Sequence, residues 1–177
     1  MAKTHPPVKL IIGFISGRKD CFLQAQKLLV RKFGEMDFQS DLIAFDFTEY
    51  YAAEMGKDLQ RKFVSFRRLI KPEDLSGIKI FTNKAEKMLS SYNRRQINID
   101  PGYLTEAKLI LATTKDFSHR IFLKNDIFAE VTMFYSHSSG YEPFPWTYPD
   151  YHSPKYKKLF KEIREIYTCQ IKKCSKD

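Results

Sequence analysis

The chain has 177 residues, 43% of them hydrophobic and 15% aromatic, with 30 basic and 21 acidic side chains for a formal charge of +9. That composition supplies one sizeable core and excludes a disordered or fibrous chain. No apolar run reaches the roughly 18 residues of a spanning helix, and MAKTHPPVK has no signal-like apolar segment, so a soluble cytoplasmic protein without a membrane partner is expected.

Residues 1–7 read as a tail and 8–174 as a single globular domain. VKLIIGFIS (8–16) is a short β-branched apolar run, the pattern of a buried strand. DCFLQAQKLLVRKFG follows with Ala25, Leu28, Leu29 and Phe33 at helical spacing, Asp20 as N-cap and Gly34 as the stop. DLIAFDF (41–47) alternates as a second strand, TEYYAAEMGKD breaks the pattern, and RKFVSFRRLI (61–70) resumes it as a third. Pro72 suits a first helical turn, and Leu75, Ile78, Phe81 or Thr82, Ala85, Met88 and Leu89 keep the helical period. RRQINI (94–99) alternates as a fourth strand, which DPGY should end as a turn. The order βαββαβ predicts an α+β, ferredoxin-like fold with helices on one face of an antiparallel sheet.

LTEAKLILATT stays open between helix and strand, because a short apolar run has no decisive period. HRIFLKNDIFAEVTMFY reads as an added β-hairpin with KND as its loop, although that loop lacks the glycine such turns favour. In this register Ile121 and Leu123 share an apolar face with Ile127, Ala129 and Val131, and Arg120 stands opposite Glu130 as an ion pair. YEPFPWTYPDYHSP (141–154), with four prolines and five aromatics, is an extended strap. Ser153 and Pro154 then open a C-terminal helix whose stripe is Tyr156, Leu159, Phe160, Ile163, Ile166, Tyr167 and Ile171.

The positive excess is local: residues 61–124 carry 14 basic and 6 acidic side chains, while the flanking thirds are near balance. Such a field favours anionic partners. Cys21, Cys169 and Cys174 form no CxxC pair and have no histidine at zinc spacing, so reduced thiols and no metal site are expected. A classical GTPase is excluded. Gly13 and Gly17 lack the lysine and hydroxyl of a phosphate loop, and TTKD (113–116) matches only part of a guanine-specificity motif. The strand signature of an RNA-recognition motif is also missing.

What remains is a crowd of polar residues at strand ends, centred on TTKDFSHR (113–120). Guanidinium groups grip phosphate through paired hydrogen bonds, and alternation lets only one each of Arg67/Arg68 and Arg94/Arg95 join Arg120 in a common site. The expected ligand-binding set is Arg94, Asn98, Lys115, Arg120 and Trp146, for a phosphorylated small molecule, a nucleotide, or RNA. Asp100, Asp116 and His119 are candidate catalytic groups for phosphate-ester chemistry. Against this stands a structural reading, with Asp100 and Asp116 capping turns and His119 satisfied in the sheet. At the level of the protein the alternative is a non-catalytic interaction or dimerisation module. The sequence names no cofactor.

FDFTEYYAAEMG, RKFVSFRRLIKPEDLSGIKIFTN, RRQINIDPGYLTEAKLILATTKDFSHRIFLKNDIFAEVT and PWTYPDYHS together resemble the bacterial proteins catalogued as domain of unknown function 4416, from about Val8 to Tyr167. The resemblance implies that polar positions including Asp46, Thr48, Tyr50, Arg95, Asp100, Arg120, Glu130 and Asp150 belong to the family's pattern. It brings no established functional residue. Members are sometimes labelled GTP-binding, and the missing phosphate loop argues against that label here.

Overall fold

The computed structural model describes residues 5–47, 51–92 and 94–174, so Thr48 and Tyr50 of the family pattern lie outside the described residues. Strand β1 (Lys9–Ser16) is buried along its whole length. Its two faces are both apolar, Leu10, Ile12 and Phe14 on one and Ile11 and Ile15 on the other, so neither face can be left to water. Strands β4 (Gln60–Phe66) and β5 (Asn98–Leu104) flank it, both antiparallel. Beyond β4 lie the short β2 (Met36–Gln39) and β3 (Ile43–Ala44); beyond β5 come β6 (Lys108–Thr113) and β8 (Ile127–Ser136). β7 (Ile121–Lys124) and β9 (Gly140–Pro143) both pair with the outer edge of β8. The result is one nine-stranded antiparallel sheet in the order β2-β4-β1-β5-β6-β8-β7, larger than the βαββαβ pattern predicts.

Helix α1 (Lys19–Phe33) ends at Gly34, whose φ of 90° only glycine adopts cheaply. Asp20 is not its N-cap: it sits inside the first turn and pairs with Arg18 at 2.7 Å. A four-residue α2 (Ala52–Met55) interrupts the segment before β4. Pro72–Asp74 form a 3₁₀ turn leading into α3 (Leu75–Met88). The long α4 spans Pro154–Cys174. α1 and α3 pack on Leu10, Ile12, Phe14, Val64 and Ile99, whereas the α4 stripe of Tyr156, Phe160, Ile163 and Tyr167 packs on Ile11, Phe63, Leu109 and Met133. The expectation of helices on one face therefore fails, for the reason visible in β1: a sheet apolar on both sides needs two covers.

DPGY is not a turn either. Asp100 and Pro101 continue β5 opposite Gly13 and Ile12 of β1. Pairing with β6 begins only at Gly102, so the proline stands where the missing donor breaks no ladder. The expected strand at 41–47 is divided, with β2 preceding it and only Ile43 and Ala44 paired within it. LTEAKLILATT resolves as the end of β5, a turn at Thr105–Ala107 and then β6. In the hairpin, Asn125 and Asp126 make the turn at φ of 54° and 56°, so two residues that tolerate the left-handed region replace the expected glycine. All four β7 residues are exposed, and the register shifts between Phe122 and Lys124, so Ile121 and Leu123 do not join Ile127 in an apolar face. Between β7 and β9 the outer edge of β8 is open, and the strap fills it: Trp146 Nε1 donates to Val131 O (3.2 Å) and Thr147 Oγ1 to Thr132 O (2.6 Å).

Candidate functional site

β5 and β6 pair over Gly102–Leu104 and then part, β5 following β1 down to Asn98 and β6 following β8 to Thr113. A Cβ on Gly102 would stand 2.3 Å from Ile110 O, so glycine is what lets the two strands touch where they begin to separate. Below that point a cleft of about 990 Å³ opens, a size typical of small-molecule sites. Its floor and walls include Arg61, Lys79, Glu86, Arg95, Asn98 and Asp100; the loop after β6 adds Lys115 and Arg120; the strap adds Tyr148, Asp150 and Tyr151; Phe45, Phe47 and Tyr51 add an aromatic side.

Arg61 lies at the floor, 3% exposed. It stands opposite Ile15 on β1, beside the pair Gly13 and Phe63, and Asp100 flanks Gly13 from β5. The absent side chain at Gly13 leaves the space that the guanidinium occupies, since a Cβ there would lie 3.0 Å from Arg61 Nη2. Through that hole Arg61 reaches across a strand to within 3.9 Å of the Asp100 carboxylate. Nη2 donates to Tyr151 Oη at 2.7 Å, and the plane sits against Phe63 and Tyr151 at 4.8 and 5.6 Å. Nε has no hydrogen-bond partner among the described residues. Burial opposes the charge of Arg61, Tyr151, Asp150 and Asp100 favour it, and one donor, Nε, is left unmet.

Asp100 anchors the rest. Its Oδ1 accepts from Lys79 Nζ (3.2 Å) and its Oδ2 from Asn98 Nδ2 (2.5 Å). Burial opposes its ionisation, but Lys79 and Arg61 together hold the carboxyl below its ordinary range. Asp100 shares the face of Gly13 while α3 covers the other face, so Lys79 meets it through the opening between β5 and β6. Arg95 bridges Asn98 Oδ1 (2.9 Å) to Glu54 (2.6 Å), with Glu86 at 3.7 Å. Glu86 is also buried, accepts the Ile99 N–H at 2.6 Å, and is pushed up to about 7 by burial against the pull of Lys79. Burial likewise raises Asp150.

Of the expected ligand set, Asn98, Lys115 and Arg120 line this cleft and so does Asp100; Arg94, Asp116, His119 and Trp146 do not. Arg95 enters in place of Arg94; the strand expected at 94–99 begins only at Asn98, so both arginines precede β5 and strand alternation does not choose between them. Arg67 and Arg68 stand away from it, Arg67 3.4 Å from Glu35 and Arg68 donating to Lys32 O. The Arg120–Glu130 pair forms as expected, Nε to Oε2 at 2.9 Å, with both side chains buried. His119 touches the same oxygen at 3.1 Å and stacks between Phe117 and Trp146. Sequence reasoning missed Arg61, Lys79 and Glu86. Their signals were present: Arg61 alternates with Phe63 in a buried strand, and Lys79 and Glu86 fall on the apolar stripe of α3. Among the described residues no group of three or more histidine, cysteine and carboxylate side chains converges as a metal site would.

A family model described as "Domain of unknown function (DUF4416)" matches residues 6–167. The chain belongs to this family. The match takes in every cleft residue named above, so the whole cleft lies within the family's domain. No curated protein and no solved structure matches the chain.

Proposed function

We propose that the protein binds a phosphorylated small molecule of the nucleotide class in the cleft between β5 and β6. The observation that carries this reading is Arg61, a buried guanidinium at the cleft floor whose Nε donor has no partner among the described residues and whose nearest Asp100 oxygen stands 3.9 Å away. A phosphate placed there would accept from Arg61 and Lys79, and guanidinium with ammonium is a strong anion-binding pair. Phe45, Phe47, Tyr51 and Tyr148 line the same cleft and supply ring faces for a base. Six cationic side chains face five carboxylates in the lining, and the raised Glu86 is partly uncharged at neutral pH, which tips the balance positive. A cleft of about 990 Å³ suits a mononucleotide better than RNA. Should the ligand be a phosphate ester that is cleaved, Glu86 is the cleft group with proton affinity suited to neutral pH, and His119 stands outside the lining. The order β2-β4-β1-β5 with α1 and α3 on one face also supports a ferredoxin-like ancestry for the first half, the later strands being an extension.

The test is a thermal-shift and calorimetric panel of mononucleotides, sugar phosphates, inorganic phosphate and a short RNA, on the wild type and Arg61→Met. A ligand at roughly 100 times its Kd should add about 2.7 kcal/mol of stability. Arg61→Met should weaken binding by roughly 10- to 100-fold, the loss of one charged hydrogen-bonding group. Lys79→Met, checked by circular dichroism, guards against a variant that misfolds. No shift with any ligand, or a shift unaltered in both variants, overturns the reading.

A further inference from the structure

We infer that the outer edge of β7 is the contact surface of a homodimer, formed by antiparallel pairing of β7 with β7 of a second copy. Among the described residues β7 pairs only with β8, so its other edge presents unpaired backbone groups. β7 is short, ends in Lys124 and shifts register after Phe122, which confines any edge pairing to Ile121-Phe122-Leu123; these residues are exposed by 68%, 57% and 39%. Phe117, Phe134 and Trp146 extend this surface, and the six side chains are half of the exposed large hydrophobics among the described residues. Three of them belong to one column: Phe117, His119, Trp146, Phe144 and Phe134 follow one another at ring separations of 6.1, 5.6, 4.7 and 5.1 Å. Together the six expose on the order of 600 Å² of side chain, close to the roughly 800 Å² per partner of a standard interface.

Two observations select a second copy as the occupant. First, residues 115–130 carry three basic and three acidic side chains in a chain of net charge +9, so this is a face on which two copies meet without net repulsion. Second, the charges at the two ends of β7 are matched for a two-fold. Asp116 and the Glu130-paired Arg120 precede it, Lys124 ends it and Asp126 follows, so antiparallel pairing sets the mixed charges of one copy beside the mixed charges of the other. Single-stranded nucleic acid fits less well, because the rings of this column already stack on one another and Arg120 is held by Glu130.

Sedimentation velocity of the full chain across the micromolar range tests the inference. The wild type should reach twice the 20.9 kDa chain mass. Phe122→Lys and, separately, Leu123→Lys should return it to monomer with unchanged circular dichroism and thermal midpoint, while Leu23→Lys on the exposed side of α1 should leave the dimer intact. A wild type monomeric at every concentration, or a dimer that survives both edge substitutions, overturns the inference. Neither outcome bears on the cleft, whose ligand test stands apart.

Discussion

Glu86 is held almost out of water by α3, and its carboxyl needs a pH near 7 to ionise where an ordinary glutamate needs about 4.5. Between those two values the unfolded chain releases its proton while the folded one keeps it. The folded state then binds more protons, and this residue makes stability fall as pH rises through that window, by roughly 2–3 kcal/mol in all. Glu86→Gln keeps an oxygen for the Ile99 N–H and removes the titration. Chemical denaturation at several pH values from 4 to 8 should show the wild type losing ground to Glu86→Gln as pH rises; parallel curves would rule the coupling out. At this scale the sequence was only partly legible. Alternation correctly paired Arg120 with Glu130, but the choice it posed between Arg94 and Arg95 assumed a strand that begins only at Asn98. It could not tell which arginine turns inward, because that depends on where β5 parts from β6. Nor could it value Gly13, whose meaning comes from the Arg61 guanidinium that fills its place from a neighbouring strand.

The elements were more legible than their ends. α1, α3 and α4 follow their apolar periods, and the hairpin forms where alternation put it. DPGY misled because proline and glycine usually mark turns, and only the late start of β6 pairing makes Pro101 harmless in an interior strand. Of the strap only Trp146 was expected at the ligand, and it acts instead with Thr147 as a fastener. Thr147 is buried, donates to Thr132 O and accepts the Phe144 N–H at 3.0 Å. Thr147→Val keeps the shape and strands both partners, so it should cost about 2 kcal/mol in a denaturant titration. Trp146→Phe loses one hydrogen bond at an exposed position and should cost less than about 1 kcal/mol. If the order of these two costs is reversed, the strap is held by its stack of rings rather than by its backbone bonds.

For the whole molecule, the decisive fact is a sheet that is apolar on both sides. The βαββαβ reading put its helices on one side and covered the other with none; in the structure α4 is that second layer. Its attachment includes a polar rivet. Lys9, fully buried in β1, pairs with Asp37 of β2 and donates to Gln170 of α4 at 2.7 Å, while Gln170 in turn donates to Arg67 O at 2.8 Å. Burial lowers the pKa of this lysine against the pull of Asp37. Removing one member of a buried pair leaves the other uncompensated, so Lys9→Ala should cost about 3 kcal/mol or more and should loosen the end of α4 first. Hydrogen exchange should show faster amide loss near Gln170 than near Tyr156; uniform acceleration would mean that the rivet stabilises the sheet alone.

The contact at Gly102 acts as the vertex of a wedge. The two strands are in register above it and diverge below, so the mouth of the cleft is set by how far each follows its own outer neighbour, β1 or β8. Side chains along the walls decide what is recognised, but the aperture belongs to backbone pairing several residues away. A substitution at this vertex, far smaller than any change to the cationic floor, would therefore alter the gauge of the opening while leaving every recognising group in the chain.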